Sequence, residues 1–111
     1  MEATDYQKLV LRTSDLKPSL AKGVRVIAYV SLWTVLSAYL SFSENTWIWL
    51  SGQVLYGLVV LQWFVLLHDF GHNHFFKSGR LNWLFGYVSS LFCLVPYAPW
   101  KWIHSQHHTW T

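Results

Sequence analysis

The sequence predicts an all-α membrane protein: a transmembrane helical hairpin, then a re-entrant or interfacial helical segment, with histidine clusters at the cytoplasmic side. Three observations predict it. The chain is 53% hydrophobic and only 12% charged over 111 residues, against roughly a quarter charged in soluble domains. Its eight Trp, seven Phe and six Tyr are the side chains that belt a bilayer interface. All six histidines fall between His68 and His108, in two tight groups separated by the 29 mostly apolar or aromatic residues 75–103.

Residues 1–23 are polar and of mixed charge, with Lys8, Arg12, Lys17 and Lys22 against Glu2, Asp5 and Asp15. They read as a cytoplasmic N-terminal segment in which Ser14 or Asp15 could cap a short helix before Pro18. No secretory signal is expected, because the apolar run starts late and is too long for one. The formal net charge of +3 with the basic residues toward the N-terminus speaks of membrane orientation and not of nucleic acid. Cys93 is the single cysteine, so no intrachain disulfide is available.

The first span is expected over about residues 24–42, whose 19 residues reach roughly 28 Å as a helix, enough for a bilayer core. Thr34 with Ala38, and Ser37 with Ser41, form small-xxx-small pairs that admit a close neighbouring helix. A turn at Ser43 to Trp47 leads into a second span over about 47–67, with Gln53 and Gln62 as its main polar side chains. Two spans joined so tightly form an antiparallel hairpin. Basic residues before the first span and none in the turn place the N-terminus in the cytoplasm. The second span then delivers His68 to that same side.

The stretch of about 81–99 is aromatic-rich, interrupted by Gly86 and closed by Pro96 and Pro99. Its length allows a third crossing, but one crossing would put the histidine groups on opposite faces of the membrane. A re-entrant or interfacial helix pair, broken near the two prolines, keeps them together. The whole of 24–111 is then one membrane domain.

His68 and His72 stand four residues apart, one turn along one face of a helix. His104 has partners three and four residues later, at His107 and His108. Imidazole suits iron, copper, zinc and nickel, so the residue type implies a transition metal without naming it. Read singly, His68 and His72 could be interfacial histidines satisfied by water. The second group makes a shared metal site the better reading. His74, two residues past His72, faces elsewhere on a helix. Gln53 and Gln62 read as helix-packing groups, the aromatics of 83–97 as interface packing, and Cys93 as a small buried hydrophobe.

The sequences His68-Asp69-Phe70-Gly71-His72 and His104-Ser105-Gln106-His107-His108 resemble the first two histidine boxes, HxxxH and HxxHH, of the integral-membrane fatty acid desaturases. Leu94-Val95-Pro96-Tyr97 and Trp100-Lys101 resemble the methyl-end branch, which holds the Δ12 and ω-3 enzymes. The resemblance covers residues 24–111. Two departures stand out: Phe70 replaces a cysteine frequent in that branch, and His74 is an additional histidine.

The resemblance implies a di-iron centre with His68, His72, His104, His107 and His108 among its ligands, and O2 as co-substrate. It implies a membrane acyl-lipid or acyl thioester substrate and an electron donor such as ferredoxin or cytochrome b5. Asp69, Asn73 and His74 are candidates to orient the ligands, and Gly71 to admit a neighbouring backbone. The family carries a third box, beyond another pair of spans, that these residues do not include. The chain is therefore expected to be the N-terminal part of a desaturase, from a partial gene or a truncated product, and inactive by itself. A hydroxylase or ketolase of the same histidine-rich class is the enzymatic alternative. A non-catalytic membrane fragment is another. A haem electron carrier is disfavoured, since haem histidines face each other from within spans whereas these cluster at span ends.

Overall fold

The computed structural model describes residues 19–110, and the side chains of 19–109. Four helices follow one another: α1 (Leu20–Leu40), α2 (Thr46–Gly71), α3 (Gly79–Cys93) and α4 (Tyr97–Trp110). The described residues contain no strand. The cap expected at Ser14 or Asp15 lies outside the described residues. Of the segment expected as a polar N-terminal arm, residues 20–23 are already helix.

α1 and α2 are the two described helices long and apolar enough to cross a membrane. The turn between them is set by chemistry visible in its residues. Ser41 ends α1, its hydroxyl donating to the Ser37 carbonyl at 2.7 Å. Asn45 starts α2, its side-chain oxygen accepting from the amides of Trp47 and Ile48 at 3.0 and 3.3 Å. That pairing satisfies donors which every helix start leaves open.

The hairpin closes along the small residues of α1. Ser37 is fully buried, and Gly52 of α2 lies so close to Leu40 and Ser41 that a Cβ there would stand 2.9 Å from the Ser41 nitrogen. Two polar staples cross the pair: Trp63 Nε1 donates to Thr34 Oγ1 at 2.9 Å, and Gln53 Nε2 to Ser41 Oγ at 3.0 Å. Of the four small residues singled out from the sequence, Thr34, Ser37 and Ser41 face α2 or bond to it, while Ala38 is exposed.

At 26 residues, α2 is about 39 Å long at ~1.5 Å per residue. A bilayer core is ~30 Å thick, so the last turns of α2 reach the water-facing end unless the helix tilts strongly. His68 sits in those turns. The helix stops at the C-cap His72, followed by Asn73 in the left-handed region at φ 56°. The amide of Asn73 bonds to the Phe70 carbonyl and that of His74 to the Asp69 carbonyl, the paired closure of a Schellman motif. Asn tolerates this backbone better than most side chains do.

The chain then folds back. Asn82, fully buried, accepts from the Phe76 amide at 2.9 Å and donates to the Phe76 carbonyl at 2.8 Å. This double clamp ties the loop to α3. α3 packs on α2 through Trp63 and Phe92, stacked at 4.5 Å, and through Phe70 against Phe85 at 6.0 Å. Val30, Val59, Trp63, Leu66, Phe70 and Phe76 form the buried core.

α3 has 15 residues, or about 22 Å, too short to cross a bilayer core alone. At its end Leu94 takes a left-handed backbone, φ 58°, and α4 departs at 104° to α3. The break lies at Leu94–Pro96, whereas Pro96 and Pro99 together were expected to make it. Pro99 instead sits in the first turn of α4, where its missing N–H has no partner to lose. The result is a sharply bent helix pair, the shape of a re-entrant loop or of a broken span.

Candidate metal centre

Two helices converge on the site. α2 brings His68 and His72 one turn apart at its C-terminus, and α4 brings His104 and His108 one turn apart. Their Nε2 atoms form a connected set: His68 to His72 at 3.3 Å, His72 to His104 at 3.0 Å, and His104 to His108 at 2.9 Å. One donor atom from each of the four lies within 4.8 Å of every other. The two histidine groups of the sequence are thus one cluster in space.

The donor chemistry of this cluster fits a metal ion. A ring nitrogen carries either a proton or a lone pair. The Nε2 atoms of His72 and His104 each face two other nitrogens, and three such contacts in a row cannot all be well-made hydrogen bonds between neutral rings. A cation at their centre accepts all the lone pairs at once. At a metal–nitrogen length of ~2.0–2.1 Å, neighbouring nitrogens on one ion stand about 2.9–3.4 Å apart, and the three consecutive contacts from His68 to His108 fall in that range. The ionisation equilibria agree. Burial first, then the charges of His68, His108 and His74, push His72 below the ordinary imidazole range, with Asp69 opposing. Burial first, then His68, His108, His72 and His107, do the same to His104. The direction of both shifts favours the neutral ring, the form that ligates.

The remaining candidates lie around this core. His107 is outside the four-donor group, its ring 6.1 Å from that of His108 by centroid. On α4 the four-residue spacing faces the cluster and the three-residue spacing does not. His74 is exposed, its ring 5.8 Å from His72 by centroid, and it too is outside the group. Asp69 Oδ1 lies 3.7 Å from Nδ1 of His68, an electrostatic contact longer than a hydrogen bond. Asn73 is exposed and serves the helix stop through its backbone. Phe70 is fully buried among Phe75, Phe76 and Phe85, a packing role that needs no thiol.

Three residues of the site were not expected from the sequence. Trp100 stacks on His104 and lies against Gly71, so the glycine admits an indole and not a backbone. Tyr97, almost fully buried, packs against Gly86 and fixes α4 on α3. Lys101 holds its ammonium 5.4 Å over the Trp83 ring and 5.8 Å over the Tyr97 ring. Of these residues Lys101, with Trp83, lines a cavity of about 470 Å³ whose wall also includes His72, Trp102, His104 and His108. It opens on the imidazole cluster.

Comparison with known proteins places this arrangement. The fatty acid desaturase family profile matches residues 44–111. The chain is 33% identical over 82 residues to a fatty acid desaturase of Bacillus subtilis, covering 74% of this chain and 23% of that protein. It is 27% identical over 110 residues to an sn-1 oleoyl-lipid 12-desaturase of a Picosynechococcus species, covering 91% and 32%. It is 36% identical over 91 residues to an sn-2 acyl-lipid omega-3 desaturase (ferredoxin), chloroplastic, of Arabidopsis thaliana, covering 81% and 20%. The chain thus spans about a fifth to a third of the length of these relatives. No solved structure matches it. With the family profile lying over the end of the hairpin, both histidine groups and the bent pair between them, the chain belongs to the fatty acid desaturase family.

Proposed function

We propose that this chain provides the first part of an iron centre in a membrane acyl-lipid desaturase, with the histidine cluster at the cytoplasmic face. The observation that carries the reading is the meeting of four imidazole nitrogens from two helices, with consecutive nitrogens 2.9–3.3 Å apart. His68, His72, His104 and His108 would hold that iron. His107, turned aside on the same helix, is the candidate donor to a second iron, which requires further ligands. Iron held by imidazoles supplies the activation of O2 that no side chain can perform.

The chain's own residues prepare the surroundings. The buried rings of Trp63, Phe70 and Phe76 form the apolar core beneath the last turns of α2. The cavity beside His72 and His104 offers aromatic surface along which an acyl chain can lie with a methylene near the metal. Lys77 and Arg80, in the loop after α2 and the first turn of α3, put positive charge at the cluster's end of the molecule, as expected for a cytoplasmic face. A lipid-borne acyl group is favoured over a soluble thioester because two relatives are named for lipid substrates. One of them is named for ferredoxin, which makes a small soluble iron–sulfur protein the first electron donor to try, with cytochrome b5 the second.

The test is to express the longest reading frame carrying this chain in a host that lacks polyunsaturated lipids, and to analyse its fatty acids by gas chromatography and mass spectrometry. A new double bond that vanishes with His72→Ala is the expected result. A hydroxyl or keto product would assign the chain to a different reaction of the same histidine-rich class. The 111-residue polypeptide alone is expected to form no product, because four clustered imidazoles and His107 leave a two-iron centre short of donors.

A further inference from the structure

Trp100 lies on α4 one turn before His104, and the two rings are parallel: 4.7 Å between centroids and 12° between planes. The same indole meets α2 at three positions of one helical face, 64, 68 and 71. It stands edge-on to Phe64 at 6.3 Å and to His68 at 6.0 Å. At Gly71, a Cβ would stand 2.5 Å from Cζ3 and 3.0 Å from Cη2 of the indole. The ring therefore occupies a notch that only glycine leaves open.

We infer that Trp100, seated on Gly71, is the positioning residue that sets the ring planes of His104 and His68 for metal binding. The inference rests on the metal reading above. Indole has a donor N–H and no lone pair for a metal, so its influence on the site is by contact. An imidazole rotates about a broad, roughly two-fold torsion, and its lone pair swings with it. Histidine ligands are ordinarily held by an acceptor at the far ring nitrogen. For His68 that acceptor is the loose contact with Asp69 at 3.7 Å. For His104 the described residues provide none, and the parallel indole restricts the torsion instead. Because one rigid ring touches a histidine of each group, it also fixes the α2 donors relative to the α4 donors.

The experiment uses the full 111-residue chain in lipid nanodiscs, titrated with Co(II), whose visible absorption bands report ligand number and geometry. The variants are Trp100→Phe, Trp100→Leu and Gly71→Ala, each checked for helicity by circular dichroism. Trp100→Leu and Gly71→Ala are expected to weaken Co(II) binding by about 10–100-fold, the range typical of residues that orient metal ligands, and to shift the bands. Trp100→Phe, which keeps an aromatic plane, stays close to the parent. Should Trp100→Leu lose helicity, Gly71→Ala carries the comparison, since it keeps every ring and displaces only the indole. Parental affinity and bands in both Trp100→Leu and Gly71→Ala would overturn the positioning role while leaving the metal site standing. A Trp100→Phe variant as weak as Trp100→Leu would overturn it too, because the ring plane would not be what acts. A parent chain that gives no histidine-dependent Co(II) bands would instead refute the metal reading itself.

Discussion

The α1–α2 hairpin and the histidine end of the molecule both place polar side chains in apolar surroundings, and they treat them in opposite ways. In the hairpin the polar groups between the helices find complementary partners: Trp63 donates to Thr34, Gln53 to Ser41, and Ser37 and Ser41 to carbonyls of their own helix. At the other end His68, His72, His104 and His108 find chiefly one another, nitrogen facing nitrogen. Complementary pairing needs nothing further, so it is architecture. Like facing like costs free energy until a cation arrives, which is the arrangement the proposed iron site would use. The difference separates stabilising polar residues from functional ones without reference to residue type.

The sharpest way to break this contrast is to remove one central imidazole. His72→Ala or His104→Ala takes away a donor that faces two others. Each is expected to lower metal affinity by at least ~100-fold, beyond the ~10–100-fold that residues outside the ligand set cost. Metal content after gel filtration reads the effect. Melting of the metal-free chain should stay level or rise, since a converging lone pair is relieved. His74→Ala, outside the group, should leave loading intact. A large drop in metal-free stability for His72→Ala would mean that the histidines are structural after all.

Asn82 tests the joint between the two regions. Asn82→Leu removes both bonds to Phe76 and leaves a buried amide and carbonyl open, each worth ~1–3 kcal/mol. A loss of about 2–6 kcal/mol in unfolding free energy follows, measured by denaturant titration in micelles. Gly52→Leu comes next. With no room against Ser41, the added side chain should cost ~1–3 kcal/mol as overpacking does. If the regions are separate in kind, this hairpin variant weakens stability while metal affinity per folded chain holds.

Much of this was legible in the sequence, for reasons that differ by element. The hairpin follows from two long apolar runs and a five-residue polar turn, which leave a bilayer-spanning chain few alternatives. Its ends were less legible: α2 runs four residues past the expected boundary because hydropathy fades at His68 while the backbone continues to its Schellman closure at Asn73. The bent pair was readable from Pro96, yet the break starts earlier, at the left-handed Leu94, and Pro99 proves harmless in a first turn. Of the histidines, the two i, i+4 pairs were readable from spacing. That α4 presents His108 and turns His107 aside depends on how α4 lies against α2. The same holds for Trp100, since no local pattern tells that an indole will sit on a glycine 29 residues earlier. Tertiary packing, not propensity, decides such contacts.

The smallest effect bears on the hairpin's own logic. If its polar pairs are architecture, the bond from Trp63 to Thr34 should show a measurable but modest coupling. A double-mutant cycle with Trp63→Phe and Thr34→Val isolates it from the packing each residue also provides. Interhelical hydrogen bonds in membranes average ~0.6 kcal/mol, with a maximum near ~1.7, because the separated helices find other partners for the same groups. A coupling of that size is expected here, read from unfolding of the metal-free chain in micelles. Thr34 has a second outlet, its bond to the Val30 carbonyl at 2.7 Å, which pulls the value toward the low side. A coupling near zero would mean that Trp63 is held by its stack on Phe92 and its burial alone, and that the contrast drawn above overstates what polar pairing does for the hairpin. A coupling well above the membrane range would mean that this one bond registers α1 against α2, so that the histidine end inherits its geometry from a contact deep within the hairpin.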